Sequence, residues 1–294
     1  MKLVKTTEAV GQVLCHDITQ IIPGVKKDAV FRKGHIITEK DIPVLLSVGK
    51  DMIYIWENDE TILHENDAAE ILYRMTAGEN MHPSEVKEGK IEVIADSDGL
   101  LKVDRERLNK VNSFGELMIA ARHGNTVVKK GDKLAGTRII PLVIKKEKIK
   151  KASEICSDAP ILKILPFTMK KAAVITTGNE VFYGRIKDGF TPVIEKKINE
   201  FGVEMVFHET FNDDDKKITK GCLDAVNAGV DIIFCTGGMS VDPDDKTPLA
   251  IKNTGSDIIS YGSPVLPGAM FLLSYYKKND RIIPICGLPG CAMY

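Results

Sequence analysis

The chain lacks any continuous apolar run near the ~20 residues that a membrane-spanning helix needs. Its first residues, Met1-Lys2-Leu3-Val4-Lys5-Thr6-Thr7-Glu8, hold no apolar signal core. The reading is therefore a cytoplasmic protein without a membrane partner. Cysteine is sparse and scattered, at positions 15, 156, 222, 235, 286 and 291. None of these forms a CxxC pair, which excludes a zinc finger and a disulfide framework. Strong charge of either sign is also missing. The formal net charge is −1, so no nucleic-acid partner is expected. One local basic run, Lys145-Lys146-Glu147-Lys148-Ile149-Lys150-Lys151, reads as a solvated linker rather than an anion-binding surface.

What is present is the composition of a soluble globular protein, with 44% hydrophobic and 28% charged residues. A length of 294 residues exceeds the roughly 250 at which single cores stop growing, so two domains are expected.

Residues 1–150 read as a smaller, mixed α+β, strand-rich domain. Segments 30–37 and 127–134 echo each other, each with an apolar pair, a basic residue and Lys-Gly before apolar residues resume. Both read as hairpins with glycine in the turn. Thr38 is expected to cap a helix reaching Ser47, followed by a strand at 52–56. Asn66-Asp67 are expected to cap a helix near 68–76. Residues 91–95 read as a strand, 108–121 as a helix stopped by Gly124, and 137–144 as β-rich. Residues 145–159 read as linker, with 151–169 joining the two domains.

From residue 170 the rhythm changes. Short apolar strands are expected at 172–176, 203–207, 230–235 and 282–286, and helices at 191–201, at 217–228 and from 247. The Asp213-Asp214-Asp215 run reads as the N-terminus of the second helix. Alternating strands and helices imply an α/β domain over residues 170–294, with a largely parallel sheet covered on both faces.

In such sheets ligands bind beyond the carboxyl ends of the strands. Three loops there carry unusual residues. The first is Thr176-Thr177-Gly178-Asn179-Glu180, with glycine for close approach, hydroxyls and N–H groups for a phosphate, and a carboxylate. The second runs from Thr236-Gly237-Gly238-Met239-Ser240 to Asp242, Asp244, Asp245 and Thr247. Its two glycines suit an anion nest, and its acidic cluster suits Mg²⁺ shared with phosphate oxygens, with Asp242 and Asp245 as ligands. Asp245 or Thr247 is also a candidate cap for the following helix. The third pairs Pro267-Gly268 with Gly287-Leu288-Pro289-Gly290, which exposes backbone donors at a strand end.

Taken together, Thr177-Gly178-Asn179-Glu180, Thr236-Gly237-Gly238 with Asp245-Lys246-Thr247, and Gly287-Leu288-Pro289-Gly290 resemble the molybdopterin-binding domain of the Mog type. Molybdopterin adenylyltransferases and molybdotransferases share that domain, and Pro267-Gly268 fits the molybdotransferase branch. The resemblance covers about residues 170–294 and implies a three-layer Mog-like fold. In the first half, Gly34-His35-Ile36-Ile37-Thr38-Glu39-Lys40-Asp41-Ile42 looks like the stretch that precedes the binding domain in molybdotransferases. Three features depart from that branch. Cys291-Ala292 replaces Asn-Pro, the C-terminal barrel domain does not follow, and the long acidic N-terminal arm is not recognisable.

The resemblance implies a cofactor, molybdopterin or the molybdenum cofactor, together with Mg²⁺. The implied binding residues are Thr177, Gly178, Asn179, Thr236, Gly237, Gly238, Ser240, Thr247, Pro267, Gly268, Gly287, Pro289 and Gly290. Glu180 and Asp245 take the catalytic positions at the metal or pterin end. The implied chemistry is Mg²⁺-dependent molybdate insertion with release of AMP, in a homo-oligomer. A non-catalytic carrier or sensor of molybdopterin is the competing reading. A third is a nucleotide-processing enzyme resembling the competence-damage-inducible family, whose Asp-Asp-x-Thr loop Asp244-Asp245-Lys246-Thr247 also fits. Cys291 reads as a small buried residue rather than a molybdenum ligand, Cys222, Cys235 and Cys286 as core, and His208 as a surface residue at a strand end.

Overall fold

In a computed structural model that describes residues 1–22, 26–56 and 59–294, the chain divides into two units, Met1–Pro166 and Phe167–Tyr294. The first unit begins with β1 (Lys2–Lys5), β2 (Ile18–Ile22), β3 (Lys26–Phe31), α1 (Asp41–Ser47) and β4 (Met52–Ile55). These enclose a small core of Leu14, Ile18, Ile37, Leu45 and Ile53. The unit continues through β5 (Ile62–His64), α2 (Glu65–Thr76), β6 (Met81–Pro83), β7 (Ile91–Ala95), β8 (Gly99–Val103) and α3 (Arg105–Asn112). It ends with β9 (Leu117–Ala121), β10 (Thr126–Val128), β11 (Lys133–Ile139), β12 (Val143–Lys145), α4 (Lys146–Glu154) and β13 (Leu162–Pro166). One antiparallel sheet has the order β6-β7-β11-β9, and a second has β10-β8-β13. The apolar stripe of α2, Ala68, Leu72 and Met75, packs into the larger core with Val93, Leu101, Leu134 and Ile139.

Several expectations fail here for identifiable reasons. Residues 146–166 are not a linker. Helix α4 buries Ile149 and Ala152, and β13 pairs with β8 while burying Leu162 and Ile164. This makes the first unit the longer of the two. The helix expected over 108–121 ends at Asn112. Gly115 and Glu116 both take positive φ, and Leu117–Ala121 becomes a strand with alternating burial. The echoed segments are turns but not hairpins. After Gly131, β11 joins a different sheet from β10, because the Gly131 N–H bonds to Ala95 O of β7. Thr38 does not cap α1 either. Its N–H and hydroxyl both donate to Asp41, the first residue of the helix.

The cap of α2 is also unexpected. His64 precedes the helix, and its Nδ1 accepts the Asn66 N–H at 3.3 Å while Nε2 donates to Cys15 O. Both nitrogens are committed in the neutral form, and the ring is 2% exposed. Burial, and then the charge of Lys33, hold this imidazole below the ordinary histidine value, against the Cys15 bond. The unfolded chain therefore binds the proton more readily than the folded one. Stability is complete above the ordinary value of about 6.5 and falls as pH drops through it toward the folded-state value. Thermal unfolding followed by emission of Trp56, the single tryptophan, should show a lower midpoint at about pH 5 than at about pH 7. His64→Gln should flatten that slope. An equal slope in the variant would assign it to other groups.

The second unit has the expected alternation of strands and helices, with two further strands. It contains β14 (Lys171–Thr177), α5 (Asn179–Phe182), α6 (Phe190–Asn199), β15 (Glu204–Phe211), α7 (Asp215–Asn227) and β16 (Ile232–Thr236). It closes with α8 (Thr247–Asn253), β17 (Asp257–Tyr261), β18 (Leu272–Lys278) and β19 (Arg281–Leu288). The sheet order is β15-β14-β16-β19-β18-β17, with β15, β14, β16 and β19 parallel and β18 antiparallel. Two cores flank it. Helices α7 and α8 cover Ala173, Ile175, Ile233 and Ile285, while α6 covers Ala172 and Val174 on the opposite face. The unit is a three-layer α/β fold with a largely parallel sheet. The chain leaves β14 for β15 on one side and reaches β16 on the other, which makes the gap between β14 and β16 the point where strand order reverses.

Candidate functional site

The loops after β14, β15, β16 and β17 and the segment after β19 lie at one edge of the sheet, because β18 starts opposite the end of β19. The site centres on the gap between β14 and β16. Thr176 and Thr236 are register partners there, and Thr177 and Gly237 follow them.

On the side of α8, the loops are locked together. A Cβ on Gly237, at φ +83°, would lie 2.1 Å from Thr177 O. Only glycine permits that approach. The Thr247 hydroxyl donates to Gly237 O at 2.9 Å and lies 3.0 Å from the Thr177 hydroxyl. Thr247 is fully buried and acts as a staple between the two loops. Neither it nor Asp245 caps α8 through a side chain. Asp245 instead closes the turn before the helix by accepting the Asp242 N–H at 2.8 Å. The backbone N–H groups of Gly238, Met239 and Ser240 have no acceptor among the described residues. Tyr261 of β17 reaches toward this loop, its hydroxyl 3.3 Å from Met239 O, and burial followed by the charge of Asp245 raises its phenol.

Asp213 was legible only as part of a helix start, yet it belongs to the site. Asp214 is the cap of α7, accepting the Lys216 and Lys217 N–H groups. Asp213 accepts the Asn179 N–H at 3.0 Å and returns its own N–H to Asn179 Oδ1 at 3.4 Å. Burial, and then the charges of Glu180, Asp244 and Asp245, push its carboxyl above the ordinary value despite the Asn179 bond. The Glu180 carboxylate folds back over Gly178, where a Cβ would lie 2.8 Å from Oε1. The signal for Asp213 was its position, one residue before the capping aspartate.

On the side of α6, Thr176 lies 2.9 Å from the Thr191 hydroxyl and 3.2 Å from Asp188. His208 Nε2 lies 3.1 Å from Thr191 and 3.3 Å from Thr176, so it is a mid-strand partner of this network rather than a strand-end surface residue. Burial opposes ionisation of Asp188, but hydrogen bonds from Thr191, Phe190 and Thr176 hold its carboxyl below the usual range. Thr236 faces this side with its hydroxyl buried and without any partner among the described residues.

Thr177, Gly178, Asn179, Glu180, Thr236, Gly237, Gly238 and Thr247 thus converge, with Ser240, Asp242 and Asp245 on the adjoining loop. Gly287 makes room for Met239, whose Cε would lie 2.5 Å from an added Cβ. Pro267, Gly268, Pro289 and Gly290 occupy the same edge, in the loop after β17 and the turn after β19. Cys291 is half-buried in that turn, while Cys222, Cys235 and Cys286 are core residues.

Residues 173–294 match the family model of a probable molybdopterin binding domain. The second unit is a Mog-type domain. Residues 3–57 match a model of a domain of unknown function. Among curated relatives, a putative competence-damage inducible protein of Bacillus subtilis is 31% identical over 115 residues, 38% of this chain and 26% of that protein. A CinA-like protein of Thermosipho melanesiensis is 34% identical over 92 residues, 31% and 23% of the two chains. The chain thus spans about a quarter of the length of these relatives. Among solved structures, the tungsten cofactor synthesizing protein MoaB from Pyrococcus furiosus aligns with 43% of this chain and 87% of its own, at 21% identity and a TM-score of 0.39. The protein CinA from Thermoplasma acidophilum aligns with 42% and 92%, at 18% identity and a TM-score of 0.37. No helix among the described residues is long and apolar enough to cross a membrane.

Proposed function

We propose that the Mog-type domain binds molybdopterin or its adenylylated form between β14 and β16, and that the chain takes part in molybdenum cofactor biosynthesis. The observation that carries this reading is the run of N–H groups from Gly238 to Ser240 together with the buried Thr236 hydroxyl, all without a partner among the described residues. The N–H run suits a phosphate, and the hydroxyl suits a polar group of the ring system.

Among the described residues no three His, Cys, Asp or Glu side chains converge to cage a metal. The acidic set fits Mg²⁺ in a different way. This ion is commonly held by one or two carboxylates plus ligand phosphates, and a site of that kind needs no protein cage. Asp242 and Asp245 would hold it, with Asp213 and Glu180 nearby. Once bound it would offset phosphate charge and polarise phosphorus. The chain's own residues then have separable duties. The N–H run orients the phosphate, Thr247 fixes the loop that presents it, and Asn179 ties Asp213 in place.

Within this reading we favour Mg²⁺-dependent molybdate insertion with release of AMP, performed by a homo-oligomer. Strand β17, with Ile258, Ile259 and Tyr261 exposed, offers apolar surface for assembly, which light scattering would test. The test of function is binding of adenylylated molybdopterin with Mg²⁺, followed by AMP release on adding molybdate. Asp245→Ala is expected to slow AMP release by at least about 100-fold, equivalent to about 2.8 kcal/mol, with folding retained. Tight binding without AMP release would replace insertion with a carrier or sensor role. A second reading, nucleotide processing, is favoured by the competence-damage inducible relatives. Hydrolysis of nucleotide substrates without pterin binding would establish it and sink the first.

A further inference from the structure

The outer face of the sheet β6-β7-β11-β9 in the first unit has a glycine that the fold does not require. Gly136 sits mid-strand in β11, opposite Glu92 of β7 and Ala120 of β9. Its φ is not left-handed, and an added Cβ would meet only the end of Lys90, with Cε at 3.4 Å. A β-branched residue would serve the strand better at such a position. A glycine with no internal reason points to an external one, the close approach of a bound molecule.

The surroundings define that molecule. Gly136 and Ala120 form a flat floor, extended by Met118, beneath a hollow of about 300 Å³. Four cations rim it, Lys90, Lys133, Arg122 and Arg138, against the carboxylates Glu92 and Asp132. Lys90 and Lys133 share Glu92, at 2.7 and 2.6 Å, and Arg122 pairs with Asp132 at 2.8 Å. Arg138 donates only from Nε to Ile139 O and has no ion pair among the described residues. The rim is therefore cationic, and the Arg138 guanidinium, whose charge also acts on Glu65, keeps its terminal nitrogens out of any ion pair among the described residues. An extended peptide is disfavoured, because β11 is bonded to β7 and β9 on its two edges and offers no free backbone groups. A flat apolar floor without backbone donors, inside a cationic rim, suits a planar ring that carries a phosphate.

We infer that this face of the first unit is a binding site for a small phosphorylated molecule with a flat heterocyclic ring. The inference is independent of the reading of the second unit. The test uses AMP as probe and the full chain, with isothermal titration of wild type, Gly136→Val and Arg138→Gln. Valine at 136 fills the floor and suits a strand, so its thermal midpoint should equal or exceed that of wild type. Each variant is expected to weaken one AMP site per chain at least ten-fold, and ribose 5-phosphate should bind that site at least ten-fold more weakly than AMP. Wild type and Gly136→Val binding AMP with the same stoichiometry and affinity would overturn the inference. Inorganic phosphate matching AMP would overturn the recognition of a ring.

Discussion

Replacing Gly237 with alanine is expected to destabilise the second unit by about 3 kcal/mol, more than most single substitutions, and to abolish ligand binding. Two costs combine. The left-handed backbone at φ +83° disfavours any residue with a Cβ, by roughly 1–2 kcal/mol. The larger part comes from contact, since the new methyl would lie 2.1 Å from Thr177 O and the loops must part. Parting them also breaks the Thr247 staple to Gly237 O. Gly229 supplies the reference. Its φ is +82°, but nothing lies within 4 Å of an added Cβ, so Gly229→Ala should show only the backbone cost. Urea denaturation of both variants separates the two contributions. Equal losses would mean that the close approach between the loops contributes nothing.

Thr236→Val should act in the opposite sense on stability. The hydroxyl is buried with no partner among the described residues, so removing it at nearly constant shape should leave the unit unchanged or raise its stability by up to ~1–2 kcal/mol. If the same hydroxyl meets the ligand, affinity for adenylylated molybdopterin should fall about 10- to 100-fold, about 1.4–2.8 kcal/mol. Thr236→Ser should keep most of the affinity. The signature is a variant that is at least as stable and binds worse. A valine variant that is less stable and binds normally would assign the hydroxyl a structural partner, such as an ordered water.

The second unit was largely legible because its central strands β14, β16 and β19 carry buried apolar runs and its helices have clear spacing, so the order of most elements and three of its loops could be read directly. The strands β17 and β18 were not foreseen. β17 is exposed along its whole length, so burial leaves no pattern in Asp257-Ile258-Ile259-Ser260-Tyr261. The first unit was harder for the same physical reason in reverse. Its elements are short and their identity is set by tertiary pairing, as when Leu117–Ala121 becomes a strand by meeting β11. The cap of α2 was missed because histidine is not a usual N-cap, and only the Cys15 carbonyl fixes its tautomer. In the site, glycines and acids stood out by type, but their partners did not. The sequence marks Gly237 as permissive without saying that Thr177 is what crowds it, and it hides Asp213 in a run of three aspartates. His208 and Asp188 come together with Thr176 and Thr191 only through the fold.

The packing of Gly237 against the end of β14 separates two kinds of inheritance. A descendant that lost its ligand would still keep glycine at 237 for as long as it kept the sheet, because the glycine serves folding. The Thr236 hydroxyl has no fold partner among the described residues, so it would be among the first groups to drift toward valine or alanine. Glycine retained at 237 in a lineage marks a chain that still folds, whereas on the proposed function threonine at 236 is expected to persist only where the ligand is still bound.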